Sequence, residues 1–194
     1  MTTKNETLNT KYTTPEIICS FPYLFEKSDY TDKFGLSIPI GLDNEKEIKK
    51  IRTLIANAAE NKWGKKARAE VGKKVVSPLR NGNDEKEDDE IYSNTIFFSA
   101  NSGSKPGVVG RDLKPIIEMD EIYPGCIIRA SVNFYAYDFK GKKGVACGLG
   151  NVMKVKDGEQ IGGKASAESD FAEFADNSGS GNSGSEESGD DDVF

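Results

Sequence analysis

The sequence predicts a mainly β fold: a small barrel or sandwich of five or more strands, with one main helix inserted between them and a disordered acidic tail. Stretches rich in β-branched and aromatic residues recur up to residue 156, and one amphipathic helical pattern interrupts them. Residues 177–194 contain almost nothing that a core could bury. A chain of 194 residues suffices for one such domain, and a second is not expected.

The first third of the chain predicts a hairpin followed by the helix. Residues 1–14 are polar and are expected to form a flexible N-terminus. Residues 17–25 favour a strand with an edge or bulge at Pro22, and residues 34–40 alternate as a half-buried strand does. Asp43 is the expected cap of the helix, whose apolar residues recur at helical spacing and which is expected to end at about Asn61 or Trp63.

The remainder predicts three more strands, separated by loops. Residues 95–100, 126–139 and 144–156 favour strands, whereas the acidic run 84–90 and the Gly/Ser/Pro-rich stretch 101–114 favour exposed loops. We therefore divide the chain into a flexible N-terminus, a folded domain, a short helix or linker, and a disordered acidic tail, at residues 1–14, 15–165, 166–176 and 177–194.

Charge is distributed unevenly between the predicted domain and the predicted tail. The chain has 26 basic and 32 acidic residues, a net charge of −6. Nine of the acidic residues and none of the basic ones lie in residues 166–194, which leaves residues 1–165 with a net charge of +3. A basic body is the electrostatic feature expected of a nucleic-acid-binding protein.

Several classes of protein are disfavoured by residues that the chain lacks. Histidine is absent, which removes the common nucleophile–base pairs and the commonest zinc ligand. Cys19, Cys126 and Cys147 have no metal-binding spacing and are expected to be buried reduced thiols. No membrane-spanning run, phosphate-binding loop, calcium loop or catalytic constellation is recognisable. We therefore predict a cytoplasmic, non-enzymatic protein without metal or cofactor.

Residues 126–139 form the predicted strand whose two faces differ most. The even positions from Cys126 to Ala136 are apolar and predict a core face, whereas the odd positions carry cations, polar groups and aromatic rings. Rings interleaved with cations on an exposed strand suit single-stranded nucleic acid, because each base offers a π-face and each phosphate a charge. The alternative is that these rings pack under the 101–114 loop or the tail helix.

The candidate site combines this face with basic clusters elsewhere in the chain. Gly-Lys-Lys occurs three times, at residues 64–66, 72–74 and 141–143, although such clusters are often only solvated surface. Trp63 could stack on a base or pack onto the core. The predicted stacking residues are Tyr135, Tyr137, Phe139, Phe97 and Trp63. The predicted phosphate or polar contacts are Arg129, Asn133, Lys140, Lys142, Lys143, Lys65, Lys66, Arg68, Arg80, Lys105 and Arg111.

The chain ends in three aspartates, one aliphatic residue and one aromatic residue: Asp190, Asp191, Asp192, Val193 and Phe194. The 13 Gly/Ser-rich residues 177–189 before them would span roughly 20 Å as a flexible chain. We expect the aspartates to imitate phosphates and compete for the body's own nucleic-acid groove, and the whole end to bind a partner protein.

Residues 125–138 (GCIIRASVNFYAYD) and 143–149 (KGVACGL) resemble the core of a family of tailed-phage single-stranded-DNA-binding proteins. Residues 78–82, 106–109 and 166–171 fit the same pattern, and the acidic tail with its terminal aromatic residue is similar to that of phage T7-type proteins. The resemblance implies an OB-fold-like small barrel that coats single-stranded DNA (ssDNA) without sequence preference during phage DNA replication and recombination. It also implies tail contacts with a DNA polymerase, helicase or primase in the host cytoplasm. A homodimer is left open.

One alternative of a different class is a recombination mediator or interaction protein that binds duplex DNA, or replication proteins through its tail. A nuclease is disfavoured because histidine and clustered carboxylates are missing.

Overall fold

The computed structural model describes residues 7–162, which form a β-rich domain with one long helix. The helices are α1 (Glu45–Trp63) and the short α2 (Gly82–Glu85), and 3-10 turns occupy Lys65–Glu70, Glu90–Tyr92 and Met119–Glu121. The strands within this range are β1 (Lys11–Thr13), β2 (Ile17–Ile18), β3 (Ser20–Ser28), β4 (Lys33–Gly41), β5 (Arg80–Asn81), β6 (Thr95–Ser102), β7 (Val108–Val109), β8 (Ile127–Phe139) and β9 (Lys142–Lys156).

One bent segment joins the two edges of the main sheet. β2 pairs with the start of β8, and β3, which follows after Cys19, pairs with β4. β4 pairs with β6, β6 runs parallel to β9, and β9 pairs with β8. If β2 and β3 are counted as one strand, the barrel has five strands, which are β2–β3, β4, β6, β8 and β9 in chain order. Around the barrel they neighbour one another in the order β2–β3, β4, β6, β9, β8 and back to β2–β3. This is an OB-like barrel, and the predicted fold class is confirmed.

The core lies inside this barrel and under α1. The even positions of β8 from Ile128 to Phe134 are buried, as predicted, and Ala136 is half-buried. Helix α1 packs its apolar stripe against β8, β9 and β1. Its N-cap is Asn44, whose Oδ1 accepts a hydrogen bond from the Glu47 amide at 3.4 Å, so the assignment of the cap to Asp43 was wrong.

β4 was predicted to be half-buried, but residues 35–40 are buried on both faces. Its inner face, with Leu36 and Ile38, contributes to the core. Its outer face is covered because the chain between β5 and β6 folds back over it. Tyr92 from that segment shares a hydrogen bond of 2.8 Å with Ser20 and reaches Ser37, and its ring is completely buried.

Residues 7–14 do not follow the prediction of a flexible N-terminus. β1 pairs with residues 131–133 of β8, and the Thr14 amide donates to the Ala130 carbonyl at 2.9 Å. The Tyr12 hydroxyl donates to Glu47 Oε2 at 2.7 Å, which anchors β1 to α1. The edge of β8 beyond β2 offers unpaired backbone groups, and β1 satisfies them. The predicted linker 166–176 and tail 177–194 lie outside the described residues.

Candidate nucleic-acid interface

The register of the strands aligns outward-facing residues into a row that crosses the barrel. Each residue of the row is paired with the next one, from β3 through β4, β6, β9 and β8 to β1: Tyr23, Gly35, Asn101, Gly148, Asn133 and Lys11. Since paired residues lie on the same face of a sheet, the outer surface is continuous from β3 to β8. We call this line of residues the outward row.

A cleft of about 210 Å³ opens on the β3 side of the outward row, over β4 and β6. We call it the β4–β6 cleft. In OB folds the face of the second and third strands, with the loop between the first and second, binds oligonucleotides. Here those parts are β4, β6 and the turn at residues 28–33. The aromatic, cationic and polar residues that line the cleft are Phe21, Tyr23, Ser28, Thr31, Lys33, Ser37, Arg80, Lys86, Tyr92, Phe97, Ser99 and Asn101.

Arg80 is held in position in this cleft by three contacts. Its guanidinium donates to Ser99 Oγ at 3.1 Å and to Glu85 Oε2 at 3.4 Å. The guanidinium carbon lies 4.5 Å from the centroid of the Phe97 ring. A planar cation fixed in this way is suited to contact phosphate or to stack on a base. The sequence prediction named Arg80, and the structure places it at this surface.

Phe97 also lies here, but the prediction that it stacks on a base was wrong. Only 1% of the residue is exposed. The Tyr92 ring packs edge-on against it, with centroids 4.8 Å apart and an angle of 73°, and Arg80 covers it from another side. The segment that folds over β4 and β6 therefore buries the outward-facing Phe97 ring in a second, small hydrophobic core. Neither face of the ring is available to a base.

Phe21 is a candidate that the sequence prediction missed. The residue is 45% exposed, and its backbone φ of 49° is rare for a bulky side chain. The Lys86 ammonium lies 4.7 Å from the centroid of its ring. Its exposure depends on the bend between β2 and β4, which local pattern does not reveal. Lys86 was missed because its acidic neighbours made the 84–90 run look like a solvated loop.

The predicted aromatic face of β8 lies at the other end of the outward row. Tyr135 is 46% exposed and Phe139 is 64% exposed, so the 101–114 loop does not cover them. Tyr137 is half-buried, because its ring lies so close over Gly144 that a β-carbon there would collide with it. Tyr135 lies beside Gly148. Glycines on β9 therefore make room for the rings on β8.

The turn between β8 and β9 carries the largest group of predicted cations: Lys140, Lys142 and Lys143. None of these three forms an ion pair with another residue in the range 7–162. The Lys143 ammonium lies 5.4 Å from the centroid of the Trp63 ring, and the Lys140 ammonium lies 5.3 Å from that of Phe139. Trp63 packs partly onto the core, and its stacking on a base stays a prediction.

Three other predicted contacts are engaged within the protein. Arg68 donates to Glu60 Oε2 at 2.8 Å and to Asn57 Oδ1 at 2.7 Å, so its guanidinium ties the 3-10 turn to α1 rather than being free for phosphate. Arg129 pairs with Glu16 at 3.2 Å. Asn133 accepts a hydrogen bond from Thr10 at 2.8 Å but stays exposed in the outward row.

The remaining predicted cations lie outside the cleft lining. Lys65 and Lys66 are exposed directly after α1. The Lys105 ammonium lies 5.3 Å from the centroid of the Phe25 ring, and Arg111 is exposed in the turn that follows β7. Across residues 7–162, no cluster of acidic and cysteine side chains could hold a metal ion, and no helix is long and apolar enough to span a membrane. The predicted tail contacts, residues 190–194, lie outside the described part.

Solved structures of two phage proteins share this fold. The single-stranded DNA-binding protein of bacteriophage Enc34, solved in complex with ssDNA, superposes with a TM-score of 0.68 at 22% identity, over 79% of this chain and 90% of that one. Gp2.5, a single-stranded DNA-binding protein encoded by bacteriophage T7, gives a TM-score of 0.56 at 14% identity, over 91% of this chain and 100% of that one. At these identities the likeness establishes the fold alone.

Sequence comparison establishes the family. A protein designated p50 of Acyrthosiphon pisum secondary endosymbiont phage 1 is 33% identical over 161 residues, which cover 77% of this chain and 86% of p50. The family model described as "Enterobacter phage Enc34, ssDNA-binding protein" matches residues 10–180. The match spans the whole barrel, including both ends of the outward row. The chain therefore belongs to the Enc34 family of phage ssDNA-binding proteins, which confirms the resemblance read from residues 125–149.

Proposed function

We propose that this protein binds and coats ssDNA without sequence preference, and that it acts in phage DNA replication and recombination in the host cytoplasm. One observation carries the proposal. The outward row connects the rings and cations of the β4–β6 cleft to the rings of β8 on one continuous surface of a barrel that belongs to this family. We assign the protein a binding role and no catalysed reaction.

The DNA strand would run across the barrel strands, along the outward row. From β3 to β8 there are four steps between neighbouring strands, a path of roughly 20 Å at about 4.8 Å a step. This suits the lower part of the range of about 4–16 nucleotides that one OB fold covers. The bases would meet Phe21 and Tyr23 at one end of the path and Tyr135 and Tyr137 at the other.

Aromatic and cationic side chains would contribute to DNA binding in different ways. Rings accept any base, because stacking needs only a π-face, and so they give affinity without sequence preference. The cations of the cleft, Lys33, Arg80 and Lys86, together with Lys143 beside Trp63, would neutralise phosphates and release counterions. Affinity should therefore fall steeply with added salt, while the contribution of the rings should persist.

Titration with oligo(dT) of graded length tests the proposal. Trp63 is the sole tryptophan of the chain and lies beside Lys143, so its fluorescence should change when DNA binds. We expect tight binding of single strands from a minimum length and weak competition by duplex DNA of equal length. Equal competition by the duplex would reject this function and favour a recombination mediator that binds duplex DNA.

We further propose that the acidic end of the chain, residues 190–194, competes with DNA for this surface and recruits replication enzymes. Its three aspartates match the charge of phosphates, and the linker before it is long enough to hold it at millimolar effective concentration. Deleting residues 177–194 should tighten ssDNA binding, most strongly at low salt. Unchanged affinity at low salt would refute the competition.

Removing only Val193 and Phe194 separates the two proposed roles of the end. The aspartates remain, so competition with DNA should persist. Binding of a DNA polymerase, helicase or primase, measured by co-sedimentation with the purified enzyme, should be lost if the terminal hydrophobic residues fill a partner's pocket. Retained binding would show that these two residues are not the partner contact.

A further inference from the structure

A second concave surface adjoins the β4–β6 cleft and shares only Phe21 with it, but differs from it in charge; it lies where β2 and the start of β8 meet the acidic run. This acidic groove has a volume of about 1040 Å³. Its floor includes the apolar side chains of Ile18, Ile127 and Ile161, and its rim carries Asp88, Asp89, Glu90 and Glu159. Among residues 7–162, no lysine or arginine lines it. Carboxylates without cations repel phosphates, so DNA is not the ligand that this groove suits.

The tip of the hairpin between β8 and β9, residues 138–143, has the opposite character. Phe139 is the most exposed ring of β8, the Lys140 ammonium lies 5.3 Å from its centroid, and Lys142 is its partner on β9. We call these residues the hairpin tip. An apolar ring among cations is complementary in both hydrophobicity and charge to an apolar floor with an acidic rim.

The tip and the groove of one molecule lie at opposite ends of the same strand. Ile127 begins β8 and lines the groove, whereas Phe139 ends β8 and forms the tip. Twelve residues of extended chain separate them, roughly 40 Å at about 3.3 Å per residue. The tip therefore cannot reach its own groove, and any contact between the two must join different copies.

We propose that the hairpin tip of one copy docks in the acidic groove of the next copy, with Phe139 on the apolar floor and Lys140 and Lys142 against Asp88, Asp89 and Glu90. Such a head-to-tail contact uses two different surfaces and leaves a free tip and a free groove at the ends, so it propagates into a chain of copies. The occupant is a second copy because this chain itself supplies the complementary surface.

The contact is small and is expected to be weak between free molecules. Copies that sit side by side on one DNA strand raise each other's effective concentration, so that even a weak contact becomes occupied. The proposal that copies join while bound to DNA rests on the proposed function, which is ssDNA binding. Phe139 stands beyond Tyr135 and Tyr137 at the end of the strand, so it can contact a neighbour while those two rings face DNA.

Thiol cross-linking tests the arrangement of the copies. A full-length chain with Asp138→Cys in the tip and Gln160→Cys in the groove keeps Phe139 and Ile161 in place. Bound to long oligo(dT) and treated with a short bismaleimide, it should give a ladder of trimers and larger species. A mixture of the two single variants should give dimers only, and each single variant alone should give none. The native cysteines are buried, so the wild-type chain is the matched control.

Other patterns would overturn the proposal. Dimers from the Asp138→Cys variant alone would show a symmetric tip-to-tip contact, and monomers alone from the double variant would show no contact. Neutralising the rim with Asp88→Asn, Asp89→Asn and Glu90→Gln in the double-cysteine chain should reduce the ladder roughly fivefold, through lost charge complementarity. Glu118→Gln, an exposed acid outside the groove, should leave it unchanged. An undiminished ladder in the rim variant would exclude the groove.

A short oligo(dT) that accommodates one copy separates this proposal from the proposed function. The rim variant should bind it at least as tightly as the wild-type chain, because three fewer carboxylates repel phosphate, while it loses apparent cooperativity on long oligo(dT). If the wild-type chain does not bind the short oligo(dT), the proposed function is rejected. Cross-linking of concentrated protein without DNA then still tests the head-to-tail contact. If it binds the short strand and forms no ladder on the long one, only the head-to-tail contact is rejected.

Discussion

The β4–β6 cleft and the hairpin tip both carry rings and cations, but they hold them differently. In the cleft, Arg80 is fixed by a serine, a glutamate and an aromatic ring, and Phe97 is buried below it. At the tip, Phe139 and the lysines extend into solvent without ion pairs to other residues in the range 7–162. The cleft is thus preorganised for a ligand of fixed geometry, whereas the tip can adapt to different anionic partners.

The largest expected effect tests the claim that Phe97 is part of a core. Phe97→Ala should lower the free energy of unfolding by about 3–5 kcal/mol, because it leaves a cavity beneath Arg80 and Tyr92. Phe139→Ala at the exposed tip should change it by less than about 0.5 kcal/mol. Urea denaturation followed by circular dichroism measures both. Similar values for the two variants would contradict the distinction between the two regions.

The next effect concerns the rings that are free to stack. Phe21→Ala in the cleft and Tyr135→Ala on β8 should each weaken ssDNA binding by about 1–3 kcal/mol. The dependence of affinity on salt should stay nearly constant, because neither change removes a charge. Fluorescence titration with oligo(dT) gives both quantities, with Ile117→Ala as the exposed apolar control. Wild-type affinity in either variant would remove that ring from the DNA path.

Lys86 tests the electrostatic part of the cleft. Lys86→Ala should reduce the slope of log K against log salt by about 0.7, the value for one phosphate contact on a single strand. Lys49→Ala changes an exposed lysine on α1 and should leave the slope unchanged. Affinities measured at four or five salt concentrations provide the slopes. Equal slopes for both variants and the wild type would mean that Lys86 does not contact phosphate.

The smallest effect belongs to Arg68, which sequence reasoning placed among the DNA contacts. Because it pairs with Glu60 and Asn57, Arg68→Ala should alter ssDNA affinity less than roughly twofold, apart from weak long-range attraction. Stability should fall by about 1 kcal/mol or less, since the pair is partly exposed. A larger loss of DNA affinity than in Lys86→Ala would restore Arg68 to the site.

Local periodicity was sufficient for most of the fold. The alternation along β8 identified its buried face, and helical spacing predicted that α1 ends at about Asn61 or Trp63, of which Trp63 is the observed end. β1 has only three residues and no periodicity, and its partner lies about 120 residues away, so no local pattern could reveal it. The choice between Asp43 and Asn44 as helix cap depends on backbone geometry that composition leaves undecided.

The site was harder to predict, because exposure depends on distant segments. Phe97 lies on the outward-facing side of its strand, yet the chain between β5 and β6 covers it. Phe21 points into solvent because of an unusual backbone conformation, which one sequence cannot reveal. Tyr135 and Phe139 were predicted to be exposed because a single long hairpin presents them, and such a local unit depends little on the rest of the chain.

The bend at Cys19 has a consequence for the order in which the molecule can assemble during synthesis. Ile17 and Ile18 are translated early, but their partners on β8 are residues 127 and 128. Until the ribosome has delivered more than a hundred further residues, the first strand can form its hairpin with β4 but cannot join the other edge. We therefore expect closure of the barrel to follow the formation of its hairpins, at a rate that reflects this long-range pairing. The hairpins themselves join strands that are close in the sequence.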